Sequence, residues 1–357
     1  MNRLFPIPTI VFLKLVFKNG GVAPRRIAKL ALWVFKTLLL EPFRWLELAL
    51  YAKKINRYTI ADHPVFVLGF HRSGTTYLHQ LFTKDDRLGY HSNFHMIFPE
   101  IMLIGEKILV PVLEFFCRIF KLQDAVHRVP LSFRYPGEED AAMTTSPAPG
   151  SVQWGFVFPK MMRDVFNNYV LFENKPEADI NAFKKDFVDV LKKTSMANKG
   201  KRLVLKSPPN TARIKYLLSV FPNAKFVFIH RDPYETYLSN KQFWKVLQKK
   251  YALGSASEAE INTIILDTYS QMTNRYLLEK HLIPEGQLAE IAYDDLIQNP
   301  LESMRKLYET IHLENFGYCE NDVRALVESQ QSYVRLKHEI PAEEREAVTQ
   351  KMVHFIK

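Results

Sequence analysis

The sequence predicts a three-layer α/β/α fold, with helices on both faces of a mostly parallel sheet of about four or five strands. Three short apolar runs support this prediction: residues 65–68, 202–206 and 225–230. Each run is continuous rather than alternating, as expected for a parallel strand that is covered on both faces. A loop and then a helical pattern follow each run, which is the order of βα units.

The first apolar run leads into a loop that contains two glycines. Residues 69–74 read Gly-Phe-His-Arg-Ser-Gly, and two threonines then begin a helix. The first turn of a helix presents unpaired backbone N–H groups and the positive end of the helix dipole, which together attract phosphate-like anions. The alternative interpretation is an ordinary strand-to-helix connection with a convenient glycine pair. The predicted anion donors are the backbone N–H groups of Arg72, Ser73, Gly74, Thr75 and Thr76.

The loop departs from the P-loop pattern at one position. Gly69 and Gly74 have the spacing of G-x-x-x-x-G-K-[ST], but Thr75 stands where that pattern has lysine. In ATPases and kinases this lysine reaches the β- and γ-phosphates, and the next hydroxyl holds Mg²⁺. Without the lysine, a γ-phosphoryl transfer loses its main charge partner. The loop therefore favours a smaller anion that is bound without a metal, and a P-loop nucleotide-dependent kinase is the runner-up.

Two further polar segments follow the other predicted strands. Lys206 ends the run at 202–206, and Arg231 follows the run at 225–230, with Ser239 on the helix after it. Ligands of open α/β sheets bind beyond the carboxyl ends of the strands. Lys206, Arg231 and the glycine loop are therefore expected on one rim of the sheet, as a site for a dianion.

These segments, in this order, resemble the sulfotransferases that use 3′-phosphoadenosine 5′-phosphosulfate (PAPS), over about residues 64–313. The resemblance implies that loop 69–76 binds the 5′-phosphosulfate, and that Arg231 and Ser239, eight positions apart, bind the 3′-phosphate. It also implies that Lys206 stabilises the leaving group. A Tyr-Asp-Asp-Leu segment that begins at Tyr293 is similar to a late family element and implies a contact of Tyr293 near the adenosine.

Sulfuryl transfer to an alcohol needs a group that takes the hydroxyl proton. The segment Tyr-Pro-Gly-Glu-Glu-Asp at 135–140 is similar to a Pro-x-Glu-Asp-Glu segment of bacterial family members, although its acids come in a different order. Glu138 is the favoured base, and Glu139 is the next candidate. His71 in the loop is a third, because the unperturbed pKa of an imidazole suits the task. Acids that merely complement a helix dipole are the alternative interpretation of 138–140.

The N-terminal 60 residues carry nearly all of the net charge of +10, since they hold eleven lysines and arginines but only two acids. Residues 25–57 read as a helix that is bent or broken near Pro42. A basic strip, from Arg26 to Lys54, lies on one side of this helix, and a wide apolar surface covers the rest. This pattern is typical of helices that lie on anionic membranes. The alternative is that the apolar surface packs on the protein while the cations are solvated. We predict a division into residues 1–60, this basic amphipathic region, and residues 61–357, a sulfotransferase domain.

A second strongly apolar segment covers residues 94–122, where the charges recur on one helical face. It has three interpretations: protein core, a wall of the acceptor pocket, or a lid that dips into a membrane. A pocket wall would favour a lipid or sterol alcohol as acceptor. The expected partners are therefore a hydrophobic hydroxyl-bearing molecule and, peripherally, an anionic membrane.

Several broader expectations follow from composition. Cys117 and Cys319 are expected to be core thiols in a reducing compartment. No apolar run reaches the length that spans a bilayer, and no small-residue cleavage pattern follows the first run, so we expect a cytoplasmic protein, peripheral on the inner face of the membrane. Nucleic-acid binding is disfavoured because the positive charge lies on an apolar helix without a reading motif. A non-catalytic membrane-surface binding protein is the remaining alternative.

Overall fold

The computed structural model describes residues 8–18, 21–61, 63–123, 130–145, 150–173, 175–330, 340–352 and 354–355. The strands are β1 (Val65–Leu68), β2 (Leu88–Tyr90), β3 (Arg202–Lys206), β4 (Lys225–His230) and β5 (Leu288–Ala292). The helices of the first half are α1 (Pro8–Lys18), α2 (Ile27–Arg57), α3 (Thr75–Phe82), α4 (Asn93–Ile97), α5 (Met102–Ile119), α6 (Glu139–Ala142), α7 (Gln153–Val157) and α8 (Met162–Tyr169). Those of the second half are α9 (Glu177–Ala197), α10 (Ile214–Val220), α11 (Pro233–Lys250), α12 (Glu258–Glu279), α13 (Tyr293–Gln298), α14 (Pro300–Thr310), α15 (Glu320–Ser329) and α16 (Ala342–Lys351).

The five strands form one sheet in the order β2-β3-β1-β4-β5, and every neighbouring pair is parallel. The predicted α/β class and parallel sheet are confirmed. The three predicted strands have the expected bounds, and sequence reasoning did not identify β2 and β5. β2 is only three residues long and has glycine at its centre, so it lacks the apolar run that marks the others.

The sheet order brings three loops to one edge. β1 lies between β3 and β4, with Val67 opposite Lys206 and Leu68 opposite Phe228. Because all strands run in the same direction, the segments that follow them leave the sheet at the same edge. The chain passes from β1 to strands on one side and then to β4 on the other, which is the topological switch where α/β proteins bind ligands.

The chain divides into two compact units, each assembled from three segments. Unit 1 comprises residues 1–60, 91–199 and 243–261, and unit 2 comprises residues 61–90, 200–242 and 262–357. The boundary expected near residue 60 is the end of the first segment of unit 1, which also includes two later segments. We describe each unit by itself.

Unit 2 contains the sheet and the core around it. Val65 and Val67 of β1, Leu78 of α3 and Leu307 of α14 belong to one buried cluster. Cys319 is buried in the same cluster as a free thiol, as predicted for a core cysteine. A continuous apolar strand is therefore covered by helices, which is what its sequence pattern indicated.

Unit 1 contains α1, α2 and α5. Of the two outcomes expected at Pro42, a bend or a break, the break is absent, because α2 continues through this proline. Helix α5 likewise continues through Pro111. Cys117 is buried here as a free thiol. Among the residues that the structure describes, no helix is both long and apolar enough to span a bilayer.

The orientation of α2 corrects one expectation. The charged strip faces the interior of unit 1, with Arg44 and Glu47 buried. The Glu47 carboxylate accepts hydrogen bonds from the N–H groups of Leu103 and Ile104 at 2.8 and 3.1 Å. Lys36 donates to the carbonyl of Ile97 at 2.9 Å, and burial lowers the pKa of Lys36. The central charges of the strip, Lys36, Arg44 and Glu47, therefore have partners inside the unit, whereas Lys54 at its end is exposed.

Candidate functional site

The glycine loop between β1 and α3 has a backbone that glycine makes possible. Gly69 and Gly74 have φ values of +146° and +103°, in the left-handed half of the φ range that favours glycine. A Cβ atom at Gly69 would lie 2.5 Å from the carbonyl oxygen of Ile229, so β4 also leaves no room for a side chain. Arg72 has a φ of 69°, which is uncommon for a residue with a Cβ atom. The loop is therefore locally strained, a feature that clusters at ligand-binding turns.

The loop is held in place by two residues that sequence reasoning missed. The hydroxyl of Thr211 accepts from the N–H of Gly69 at 2.8 Å and also bonds to the Gly69 carbonyl, at 3.1 Å. The amide of Asn240 donates to the carbonyl of His71 at 2.8 Å. Both side chains are buried. The one signal for them in the sequence was proximity: Thr211 follows β3 in the segment after Lys206, and Asn240 is next to Ser239 on α11.

The predicted 3′-phosphate residues lie beside this loop. Arg72 Nε donates to the hydroxyl of Ser239 at 3.1 Å, and an Nη atom of Arg231 donates to the carbonyl of Arg72 at 3.3 Å. The guanidinium of Arg231 also stacks over the ring of Tyr293, with 4.6 Å between its Cζ and the ring centroid. The segments that follow β1 and β4 are thus brought together with Ser239 of α11 and Tyr293 of α13. The meeting of the glycine loop with Arg231 agrees with the prediction from their places at strand ends.

Arg231 is oriented by a carboxylate one helical turn later. Glu235 accepts from Nε and Nη2 of Arg231 at 3.0 and 2.9 Å. A guanidinium has five donors in a rigid plane, so it can keep this pairing and still bind phosphate oxygens. The donor set of Arg72, Arg231 and the Ser239 hydroxyl fits a phosphate group, because it combines two permanent positive charges with a neutral donor.

The N-terminus of α3 completes the loop. Gly74 is its N-cap residue, and no side chain caps the helix, so its first-turn N–H groups have no intrahelical partner. Ser73 turns inward: its hydroxyl donates to the Phe70 carbonyl at 2.8 Å and its N–H to the same oxygen at 3.2 Å. Thr75 is buried, and Thr76 is partly exposed. Burial, together with neighbouring Tyr293, raises the pKa of Tyr77 to about 12, so this hydroxyl stays protonated at neutral pH.

Lys206 lies at the carboxyl end of β3 and is buried. Its strand partner is Val67, two positions before Gly69, so it leaves the sheet beside the glycine loop. His71 lies in the loop itself and is partly exposed, with its ring edge-on to Phe70. The family resemblance also suggests that Arg335, Lys337 and His338 close over the 3′-phosphate, with a solvated basic face as the alternative. These three residues lie outside the described residues.

The predicted carboxylate bases, Glu138 and Glu139, belong to unit 1, whereas His71 belongs to unit 2. The segment that leads to them is fixed by backbone bonds, from Gly137 N–H to the His91 carbonyl and from Asn93 N–H to the Tyr135 carbonyl, both at 2.7 Å. Glu138 is the N-cap residue of α6 and is partly exposed, whereas Glu139 is fully buried.

The third acid of this segment has a structural task. Asp140 accepts from the Ser151 hydroxyl at 2.8 Å and from the Val152 N–H at 3.0 Å. Asp140 is also fully buried. Of the three acids, Glu138 is therefore the most accessible to a second molecule.

Comparison with known proteins identifies similar sequences. A protein-family model described as a sulfotransferase family matches residues 64–317. An omega-hydroxy-beta-dihydromenaquinone-9 sulfotransferase of Mycobacterium tuberculosis is 26% identical over 298 residues, which cover 84% of this chain and 75% of that protein. An uncharacterized protein of Aquifex aeolicus is 25% identical over 253 residues, which cover 71% of this chain and 26% of that protein.

Solved structures show the same fold. The crystal structure of sulfotransferase STF9 from Mycobacterium avium superposes with a TM-score of 0.72 at 17% identity, covering 99% of this chain and 97% of the other. Sulfotransferase STF1 from Mycobacterium tuberculosis gives a TM-score of 0.69 at 16% identity, covering 98% and 94%. The likeness extends over nearly the whole of each chain.

Proposed function

The chain belongs to the sulfotransferase family, and from this premise we propose that it moves the sulfuryl group of PAPS to a hydroxyl of a hydrophobic, lipid-like acceptor. The observation that carries the proposal is the meeting of Arg72, Arg231 and Ser239 beside the N-terminus of α3. Membership of this family makes the chain a transferase. It leaves the kinase and the non-catalytic binding protein without support.

In the proposed complex, each part of the cofactor has a partner in unit 2. The first-turn N–H groups of α3 and the loop 72–76 hold the 5′-phosphosulfate, while Arg231 and Ser239 hold the 3′-phosphate. Tyr293 lies near the adenosine. When bound, PAPS supplies the sulfuryl group. Because an arginine pair and a helix N-terminus already neutralise phosphate charge, we propose that no metal ion is needed.

The chain's own residues supply the proton transfer and the charge stabilisation. Lys206 would stabilise the negative charge that develops on the departing phosphate oxygen. Glu138 would take the proton of the acceptor hydroxyl as its oxygen attacks. Glu139 and His71 remain the other candidates for this base.

The acceptor class rests on a relative and on composition. The Mycobacterium tuberculosis relative is named for a hydroxylated menaquinone, which is a lipid. The present chain also carries a strongly apolar segment at 94–122. We propose an acceptor of the same general kind, an apolar molecule with a free hydroxyl. A lipid acceptor also supports the proposed peripheral contact with an anionic membrane, while location on the inner, cytoplasmic face stays a prediction.

Calorimetric binding of 3′-phosphoadenosine 5′-phosphate tests the cofactor assignment. We expect this nucleotide to bind with the same affinity in EDTA as in Mg²⁺, and to bind more tightly than ATP. Arg231→Ala should abolish the preference for the 3′-phosphate. Arg305→Ala is the matched control, because Arg305 is an exposed arginine of unit 2 that pairs with Glu302 and Glu320. A preference for Mg-ATP would contradict the proposal.

Kinetics with a hydroxylated lipid acceptor tests the base. Glu138→Gln should retain nucleotide binding and lose turnover by about 100- to 10,000-fold. Glu177→Gln is the control, since Glu177 is an exposed acid in the first turn of α9, where a carboxylate complements the helix dipole. Near-normal turnover in Glu138→Gln would move the base to Glu139 or His71.

A further inference from the structure

The outward face of α2 is apolar. The exposed positions recur at intervals of three and four, which places them on one side of the helix. Leu32 and Phe35 are 64% and 63% exposed, values usual for charged residues rather than large apolar ones. The large exposed residues of this face are Ile27, Leu32, Phe35, Leu38, Leu39, Phe43, Leu46 and Leu50.

The helix therefore departs from the usual amphipathic arrangement. On a helix at the surface of a soluble protein, the apolar side faces the core and the charged side faces water. On α2 the buried side holds Arg44 and Glu47 beside Leu40 and Ile55, and the exposed side holds leucines and phenylalanines. The packing of unit 1 satisfies the charges and leaves the apolar side uncovered.

Helix α5 also exposes large apolar side chains. Its exposed large residues are Ile108, Val112, Phe115, Phe116 and Ile119, and Phe120 and Leu122 follow the helix. Its acid Glu114 is turned to the protein, where it accepts from the Ser132 hydroxyl at 2.9 Å and from the Phe133 N–H at 2.6 Å.

The two helices are joined within unit 1. The Glu47 carboxylate of α2 accepts hydrogen bonds from two N–H groups in the first turn of α5. Leu40 of α2 and Val110 of α5 belong to one buried cluster. Exposed apolar residues flank that cluster on both helices, at 38, 39 and 43 on α2 and at 108 and 112 on α5. Large contiguous apolar patches are uncommon at the surface of soluble monomers, and they mark interaction surfaces. We call the exposed large apolar residues of α2 and α5 the apolar face.

The fully exposed charged side chains of α2 and α5 are all cations. None of the four acidic side chains on α2 and α5 is fully exposed. Exposed cations lie within α5 and at or beyond the ends of the two helices: Arg25, Lys53, Lys54, Arg57, Lys107, Arg118 and Lys121. Anionic lipid headgroups complement such a rim. A second copy of this chain would bring the same positive rim against it, which disfavours self-association through this face.

We propose that the apolar face seats in the interfacial region of an anionic lipid bilayer. The leucine and phenylalanine side chains enter the acyl boundary, and the cations at the helix ends meet the headgroups. The inference deepens the proposed lipid chemistry and rests on it only for its biological purpose, which is to bring the enzyme to a membrane-resident acceptor. It replaces contact through the basic strip of α2, because Lys36, Arg44 and Glu47 at the centre of that strip have partners inside unit 1.

Vesicle flotation tests the proposal with the full chain. We expect wild type to float with vesicles of phosphatidylcholine and phosphatidylglycerol, and to remain bound when salt is raised, because insertion of apolar side chains is not screened. Leu32→Asp and Phe115→Asp should each lower the partition coefficient by about tenfold or more, since a charge is costly in the hydrocarbon. The control is Leu278→Asp in unit 2, because Leu278 is 65% exposed but lies outside the apolar face.

Nucleotide binding separates the proposal of membrane contact from the proposed cofactor assignment. All three variants should bind 3′-phosphoadenosine 5′-phosphate as wild type does, which also shows that they are folded. Wild type that stays in solution beside vesicles, or that salt removes completely, would overturn insertion of the apolar face. So would a wild-type dimer, seen by sedimentation velocity, that Leu32→Asp dissociates. Vesicle binding without nucleotide binding would instead defeat the cofactor assignment alone.

Discussion

Replacing Gly74 by alanine perturbs the loop at the point where the proposed nucleotide residues meet. Gly74 has a φ of +103°, and the left-handed conformation costs a residue with a Cβ about 1–2 kcal/mol. The new Cβ would also lie 2.9 Å from Cε2 of Tyr293 and 3.2 Å from Cδ1 of Ile229. Overpacking of this kind costs about 1–3 kcal/mol. We therefore expect Gly74→Ala to lower the free energy of unfolding by about 2–5 kcal/mol.

The same substitution should weaken nucleotide binding. The ring of Tyr293 must move to admit the Cβ atom, and the stack of Arg231 on that ring is then lost. Such stacks contribute about 0.5–2 kcal/mol, which corresponds to a weakening of about 2- to 30-fold. Urea unfolding measures the loss of unfolding free energy, and calorimetry with 3′-phosphoadenosine 5′-phosphate measures the loss of nucleotide affinity.

Gly21→Ala is the matched control for this experiment. Gly21 has a φ of +84°, but a Cβ atom there would meet nothing within 4 Å. It should therefore show the backbone cost of about 1–2 kcal/mol and unchanged nucleotide affinity. If Gly74→Ala behaves like Gly21→Ala in both assays, the contact between the loop and Tyr293 does not constrain the site. Gly74→Ala combined with Tyr293→Ala should recover the steric part of the loss.

Three further substitutions test other parts of unit 2. Thr211→Val leaves the buried N–H of Gly69 without its hydroxyl partner, so we expect a loss of about 1–3 kcal/mol in unfolding free energy and weaker nucleotide binding by calorimetry. Lys206→Met should lower kcat by about 100- to 1,000-fold with little change in nucleotide affinity, and equal losses in both would contradict its role at the leaving group. Burial alone would raise the pKa of Asp85, but hydrogen bonds from Arg87 outweigh it and hold that pKa below the ordinary value of an aspartate. The stabilisation is therefore complete above pH about 4 and is lost as pH falls through the lowered pKa, so Asp85→Asn should flatten the acid limb of a stability-pH profile.

Much of the site follows from local patterns. A continuous apolar run followed by Gly-x-x-x-x-Gly predicts a buried strand, a turn and a helix N-terminus because each depends on neighbouring residues. The places of Lys206 and Arg231 at strand ends then predict their meeting at one edge, since parallel strands end on the same side. The side chains that hold the loop were not predictable in this way. Thr211 is 142 positions from Gly69, and a buried threonine has no local pattern that assigns it a partner.

For this protein, the sequence by itself determined the α/β class, the three main strands, the glycine loop and the residues that join it at the sheet edge. Only the tertiary structure decided which side of α2 faces outward. Periodicity separates a charged strip from an apolar side, but it does not say which of the two is covered. That outcome depends on partners distant in the chain, here the N–H groups of Leu103 and Ile104 for Glu47 and the carbonyl of Ile97 for Lys36. Because these partners satisfy the buried charges, the apolar side is left at the surface.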